Sequence, residues 1–185
     1  QLFGIGTRYY VVSMNNAIMQ PDTCKAMFSN LESLSKVEFK NFETKNVIDM
    51  SNMFNGCSSL SNVDVSGFDT CKVTSMAAMF KWCEKISGLD VSGFNTSNVT
   101  NMNEMFRACK GLTNLNLSGF DTSKVTDMNG IFEACEGLTK LNVSGFNTNN
   151  VTDMSYMFDN CINLTELNVS GFNTSKVIDM SGMFQ

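Results

Sequence analysis

Histidine is absent from this chain of 185 residues, proline and tryptophan each occur once, and charged residues make up only 17%. Without histidine the chain lacks the commonest general base and the commonest metal ligand at neutral pH, which argues against an enzyme. A single proline beside 43% hydrophobic residues excludes a proline-rich linker or a disordered tail. Positive charge is also short: 13 Lys+Arg against 18 Asp+Glu give a formal charge of −5. No long-range field therefore draws the chain to phosphate backbones or anionic lipid, and nucleic acid is not an expected partner. No apolar run reaches the roughly 18 residues of a membrane span, and the opening QLFGIGTRYYVVSMNNAIMQ lacks the pattern of a signal peptide. Because the sequence opens on Gln1 rather than methionine, a processed or excised piece is expected, with any anchor lying outside it.

What is present is a repeat. Met-Phe, Gly-Phe and a lone Cys recur every 26 residues, with Val47, Val73, Val99, Val125, Val151 and Val177 marking the register and Pro21 in the same column one period earlier. Six repeats run 21–46, 47–72, 73–98, 99–124, 125–150 and 151–176, and residues 177–185 open a partial seventh. Residues 1–20 are atypical and read as an N-terminal capping segment, with Tyr9-Tyr10-Val11-Val12 as a covering strand. In the sixth repeat, Val151, Met154, Met157, Phe158, Cys161 and Leu164 follow helical spacing, then Leu164, Leu167 and Val169 approach a strand's alternation. The expected fold class is an α/β repeat solenoid, each coil one short parallel β-strand plus one short helix. Thr23, Asp49, Ser75, Asn101, Asp127, Asp153 and Asp179 share the column before the helical rhythm, and each is a good N-cap. Gly67, Gly93, Gly119, Gly145 and Gly171, with Asn41 in the first repeat, read as a turn needing positive φ, where alanine should strain the coil. Of 14 methionines, 12 fall in the two helix columns, and of 15 phenylalanines, 13 fall in the Met-Phe or Gly-Phe columns, which assigns both types to the core.

Leu112-Thr-Asn-Leu115-Asn-Leu117-Ser-Gly-Phe120 has the Leu-x-x-Leu-x-Leu spacing of leucine-rich repeats, and Val151-Thr-Asp-Met-Ser-Tyr-Met-Phe-Asp-Asn-Cys161 is more specific still. Over residues 21–185 the chain resembles the BspA-like leucine-rich repeat family of bacterial surface proteins, the group with mycoplasma-type lipoprotein repeats. The resemblance implies a leucine-rich-repeat-like stack of coils and a non-catalytic, extracellular module of a longer, cell-surface protein, used for adhesion to host or neighbouring cells. Phe120 and its equivalents stand where leucine-rich repeats usually place an asparagine ladder. Stacked rings from Phe42 through Phe172 are therefore expected to fill that corner, while the Asx and threonine turn supplies the hydrogen bonds.

Cys57, Cys83, Cys109, Cys135 and Cys161 recur at the repeat period on the apolar face and read as structural thiols. Parallel side-chain directions disfavour disulfides, and no CxxC pair or histidine completes a zinc set. Cys24 replaces a core methionine, and Cys71 alone, in the Ser/Asn turn column, should react readily with a thiol reagent. The Met102-x-x-Met105 spacing imitates a Cu(I) site, but Phe106 follows directly and core packing explains it better. No metal or other cofactor is expected.

Two sets of surface residues are candidates for binding. The outward strand column Glu38, Asp64, Asp90, Asn116, Asn142 and Asn168 is polar and free of aromatics, and its acidic members would suit a cation or a basic patch. Trp82 and Tyr156 stand in columns otherwise filled by small or polar residues and read as interface anchors. Triplets such as Asn98-Val-Thr100 arise from the repeat itself and say little about glycosylation. The expected function is recognition of a protein or glycan on another cell, with end-to-end self-association through the open last coil. The alternative is a structural spacer with no ligand of its own.

Overall fold

The computed structural model describes Leu2–Ile5, Arg8–Val12 and residues 18–185; of the expected capping segment, residues 1, 6–7 and 13–17 lie outside the described residues. Strand β1 (Leu2–Ile5) pairs antiparallel with β2 (Arg8–Val12), and β2 lies parallel to β3 (Lys36–Lys40) with Tyr9 opposite Val37 and Val11 opposite Phe39. The residues read as a covering strand thus extend the strand side of the first coil. β3 pairs with β4 (Asn62–Val63), the Gly88–Asn114 bridge continues the column, and β5 (Lys140–Leu141) pairs with β6 (Glu166–Leu167), all parallel. Partners such as Lys36 and Asn62, or Lys140 and Glu166, are one repeat apart, so each coil lies on the next in strict register. The chain is a repeat solenoid.

The expected helix is not there. Among the described residues no helix forms, and the stretch after each Asx or Ser/Thr column is a run of tight turns. Its amides alternate between two kinds of partner. In the second coil Met53, Asn55 and Cys57 donate to carbonyls three residues back, whereas Met50, Asn52, Phe54 and Gly56 donate to Ser75, Ala77, Met79 and Lys81 of the following coil at 2.8–3.0 Å. Left-handed backbone at two columns enforces this: Asn52 (φ 58), Ala78 (φ 54) and Glu104 (φ 53) in one, Gly56 (φ 77), Trp82 (φ 60) and Ala108 (φ 57) in the other. A positive φ every fourth residue breaks an i→i−4 ladder, and the neighbouring coil satisfies the amides so released. The apolar spacing that suggested a helix serves the turn run equally well, because both conformations return every third or fourth side chain inward. The N-cap column keeps its chemistry in the new setting. Asp49, Asn101, Asp127, Asp153 and Asp179 each accept the N–H two residues on at 2.8–3.0 Å, as Asx turns do.

Between the turn run and the strands lies one continuous core. Met50, Met53, Met76, Met79, Met102, Met105, Met128, Met154 and Met157 are fully buried, with the valine column beside them. The coplanar ring stack runs through Phe28, Phe54, Phe80, Phe106, Phe132, Phe158 and Phe184, with centroids 5.3–6.0 Å apart and planes within 14°. This corrects the expectation that placed the stack on the Gly-Phe column. Phe68, Phe94, Phe120 and Phe146 do fill the corner, and Phe42 meets Phe68 at 48°, but alignment belongs to the Met-Phe column, where the rigid turn run fixes each ring.

The corner is bonded by threonine. Thr70, Thr96, Thr122 and Thr148 are buried, and each hydroxyl donates to a carbonyl of the next coil while accepting that residue's N–H. Each hydroxyl thus closes a donor–acceptor pair between coils, the hydrogen bonding expected of the threonine turn. The cysteine column adds another ladder. Cys57, Cys83, Cys109, Cys135 and Cys161 donate Sγ–H to the Phe carbonyl of the preceding coil at 3.1–3.2 Å. The glycine turn column needs correction, since positive φ occurs at Asn41 but the glycines with positive φ are Gly56, Gly130 and Gly182. A Cβ at Gly67, Gly145 or Gly171 would meet nothing within 4 Å. Backbone strain does not fix that column.

Candidate functional site

On the strand face the predicted column is exposed from Asp64 to Asn168, with Glu38 half-buried at its start. Three shallow grooves run along it, of about 480 Å³ over β3, about 690 Å³ beside Asp64, Asp90 and Asn116, and about 660 Å³ beside Asn142 and Asn168. The structure also gives these residues an internal task. Asp64 and Asp90 each accept the N–H and the hydroxyl of the serine two residues on, at 3.0 and 2.6 Å. Asn116, Asn142 and Asn168 accept the same N–H from Ser118, Ser144 and Ser170 at 3.0–3.1 Å. The serine hydroxyl and amide hold the Asp64 and Asp90 carboxyls below their ordinary range, so both are charged at neutral pH. Glu38 takes Lys36 Nζ at 2.6 Å. The column is thus a row of strand-to-turn Asx bonds, and its uniformity along the chain has a structural cause.

On the turn face the left-handed columns are filled mostly by Ala, Asn and Gly, and Glu104, Trp82 and Tyr156 are the exceptions. Trp82 and Tyr156 occupy two of these sites, at φ 60 and 56, with 41% and 40% of their surface exposed. Left-handed backbone costs an L-residue with a Cβ about 1–2 kcal/mol, so bulky aromatics are placed there against the local preference. Sequence reading picked out both residues as misfits but missed the reason. The signal was present in Asn30, Gly56 and Asn160 in one column and Asn52, Gly130 and Gly182 in the other, all types that favour positive φ.

In the coils from Trp82 to Tyr156 lies an ion network that no spacing in the sequence signals. Lys81 Nζ meets Glu104 Oε2 at 2.6 Å, Arg107 Nη1 bonds Glu104 Oε1, and Arg107 Nη2 meets Glu133 Oε1 at 2.7 Å. Burial works against the charge on Glu104, but the bonds from Lys81 and Arg107 outweigh it and hold this carboxyl below its usual range. Glu133 is shifted the other way, since burial outweighs the attraction of Arg107. Asp127 is raised as well, first by burial and then by the charge of Asp153 one coil on. The rest of this face is small: Ala78 and Ala108 are buried, and a Cβ at Gly182 would lie 2.5 Å from the Tyr156 ring.

All seven cysteines are free. Burial pushes Cys57 up to about 12 and Cys24 and Cys161 to about 11. Cys71 is partly exposed, and its thiol is raised too, chiefly by its bond to the Asp69 carboxylate. That moderates the reactivity expected from exposure alone. Among the described residues no group of three or more His, Cys, Asp or Glu is placed to hold a metal ion, and no helix is long and apolar enough to cross a membrane.

A leucine-rich repeat protein of T. pallidum, solved as a crystal structure, is similar in fold, with a TM-score of 0.54 and 19% identity over 88% of this chain and 69% of that one. No curated protein sequence matches. The family described as "Mycoplasma protein of unknown function, DUF285" matches residues 22–138 and 112–185. Its two matches span the whole repeat array, and the chain therefore belongs to the DUF285 family.

Proposed function

We propose that this chain is a non-catalytic binding module of a bacterial cell-surface protein of the BspA-like kind, which recognises a protein or glycan on a host or neighbouring cell. The reading rests on how the fold spends its residues. Methionine, phenylalanine, valine, leucine and cysteine columns are consumed by the core, and threonine and Asx columns by bonds within and between coils. What is left among the described residues is an extended surface whose side chains form no nucleophile–base pair or phosphate loop, as in a recognition scaffold. In this reading residues 1–20 form the capping segment and the seventh coil continues the array.

A spacer without ligand is the second reading, favoured by the Asx bonds that account for the strand column. The two readings differ in an adhesion assay. Beads coated with the purified chain are scored for binding to epithelial and bacterial cells, beside beads carrying the triple variant E38Q/D64N/D90N or the double variant W82A/Y156A. Loss of binding in one patch variant supports the module; absence of binding by the unmodified chain on every cell type tested leaves the spacer.

A further inference from the structure

The repeat array contains one tryptophan, one tyrosine and one arginine, namely Trp82, Tyr156 and Arg107. The fold brings all three to the turn face. Trp82 is in the third coil and Tyr156 in the sixth, on the two left-handed columns, with Arg107 held between them by Glu104 and Glu133. We propose that this face is a glycan site: a neutral oligosaccharide lies across the coils, its sugar rings against Trp82 and Tyr156 and its hydroxyls on the Lys81–Glu104–Arg107–Glu133 network. The inference rests on the binding-module reading and assigns it a surface and a ligand class.

Charge argues for a neutral ligand. Lys81 and Arg107 are both already paired with carboxylates, and the four groups sum to zero, so a sulfated or sialylated chain would find no uncommitted cation here. Held side by side, carboxylates and a guanidinium still offer acceptors and N–H donors in fixed positions, which suits hydroxyl groups. Size argues the same way. Three coil steps at about 4.8 Å each put the two aromatics roughly 14 Å apart along the array, and the face is only two turns wide. A span of roughly 14 Å between the aromatics matches the length of a few sugar rings. The rings offer flat apolar surface with a polar edge: Tyr156 lies over Gly182 of the next coil, and Trp82 and Tyr156 keep 41% and 40% of their surface exposed. The strand face, with its Asx columns engaged in turns and no ring beyond the first two coils, lacks this combination.

Trp82 is the chain's sole tryptophan, so its emission reports on this face alone. The experiment uses the full chain on an array of neutral, sialylated and sulfated glycans, followed by fluorescence titration with the soluble form of any neutral oligosaccharide retained. Alanine already occupies the Trp82 column at Ala108 and the Tyr156 column at Ala78, so W82A and Y156A keep the coil. The expected result is retention of neutral oligosaccharides, a shift of Trp82 emission on titration of the parent and Y156A, and at least a tenfold loss of affinity in W82A and in Y156A by isothermal titration calorimetry, which needs no tryptophan. N62S and N114S on the strand face should be unchanged. A blank neutral set, retention of acidic glycans only, or alanine variants that bind as well as the parent would overturn the proposal. Cell binding by the coated beads with a blank array would refute the glycan site while leaving the module, with a protein as its partner.

Discussion

Thr96 to valine tests the bonding of the coil corner most directly. The side chain is 1% exposed, its hydroxyl donates to Asp121 O at 2.9 Å, and it accepts Asp121 N–H at 2.8 Å. Valine keeps the shape but sets a methyl group against two backbone atoms that must then lose their partner. Each bond contributes about 1 kcal/mol net, and each group left unsatisfied costs about 1–3 kcal/mol. Asp121 itself is exposed, so water recovers part of that, and a loss of about 2–3 kcal/mol is expected. Serine at the same position keeps both bonds and gives up one buried methyl group, about 1 kcal/mol. The prediction is therefore an ordering in which the more hydrophobic residue is the worse one. Urea unfolding of the complete chain, followed by circular dichroism and by Trp82 emission, measures it. Agreement of the two probes checks that the array unfolds as one unit. If T96V proves as stable as the parent, or more stable than T96S, the threonine ladder is not what ties the coils at this corner.

Gly137→Ala should destabilise by about 2 kcal/mol or more, because its Cβ would lie 2.6 Å from Lys110 O and 2.7 Å from Leu112 O, while Gly145→Ala meets nothing within 4 Å. Thermal melts of the pair should separate clearly, and equal melts would refute the contact argument. With a thiol reagent at neutral pH, Cys71 should react first and Cys161 slowly, the buried five only on unfolding. Asp69→Asn should speed Cys71 several-fold by removing the carboxylate that raises its thiol, and an unchanged rate would contradict that cause. Asp127→Asn should stabilise the chain by about 0.5 kcal/mol at neutral pH, since Asn101 already fills the same turn role one coil earlier. The sign follows from a raised folded pKa: the carboxylate opposes folding when charged. The gain should fade as pH falls through that raised value toward 3.8, and a gain that persists in acid would rule out the charge as its source.

The period, the register, the buried columns and the thiol ladder were legible in the amino-acid sequence alone. Side chains one repeat apart lie over one another, so a residue type needed once is written again every 26 positions. The aromatic misfits Trp82 and Tyr156 were visible for the same reason, as breaks in two columns. Three features were decided only by the tertiary structure. Met50, Met53, Phe54 and Cys57 keep helical spacing whether the backbone is a helix or a run of turns, and the choice fell to amides bonding the next coil, which no local pattern records. Asp64 and Asn116 hold Ser66 and Ser118 across a strand-to-turn junction whose backbone path no column of side chains records. Lys81, Glu104, Arg107 and Glu133 come from three successive coils, and their pairing exists because stacking brings those coils together. A sequence lists what each coil contributes, whereas hydrogen bonds and ion pairs between coils depend on which backbone groups face across the gap, and that is fixed only when the coils are stacked.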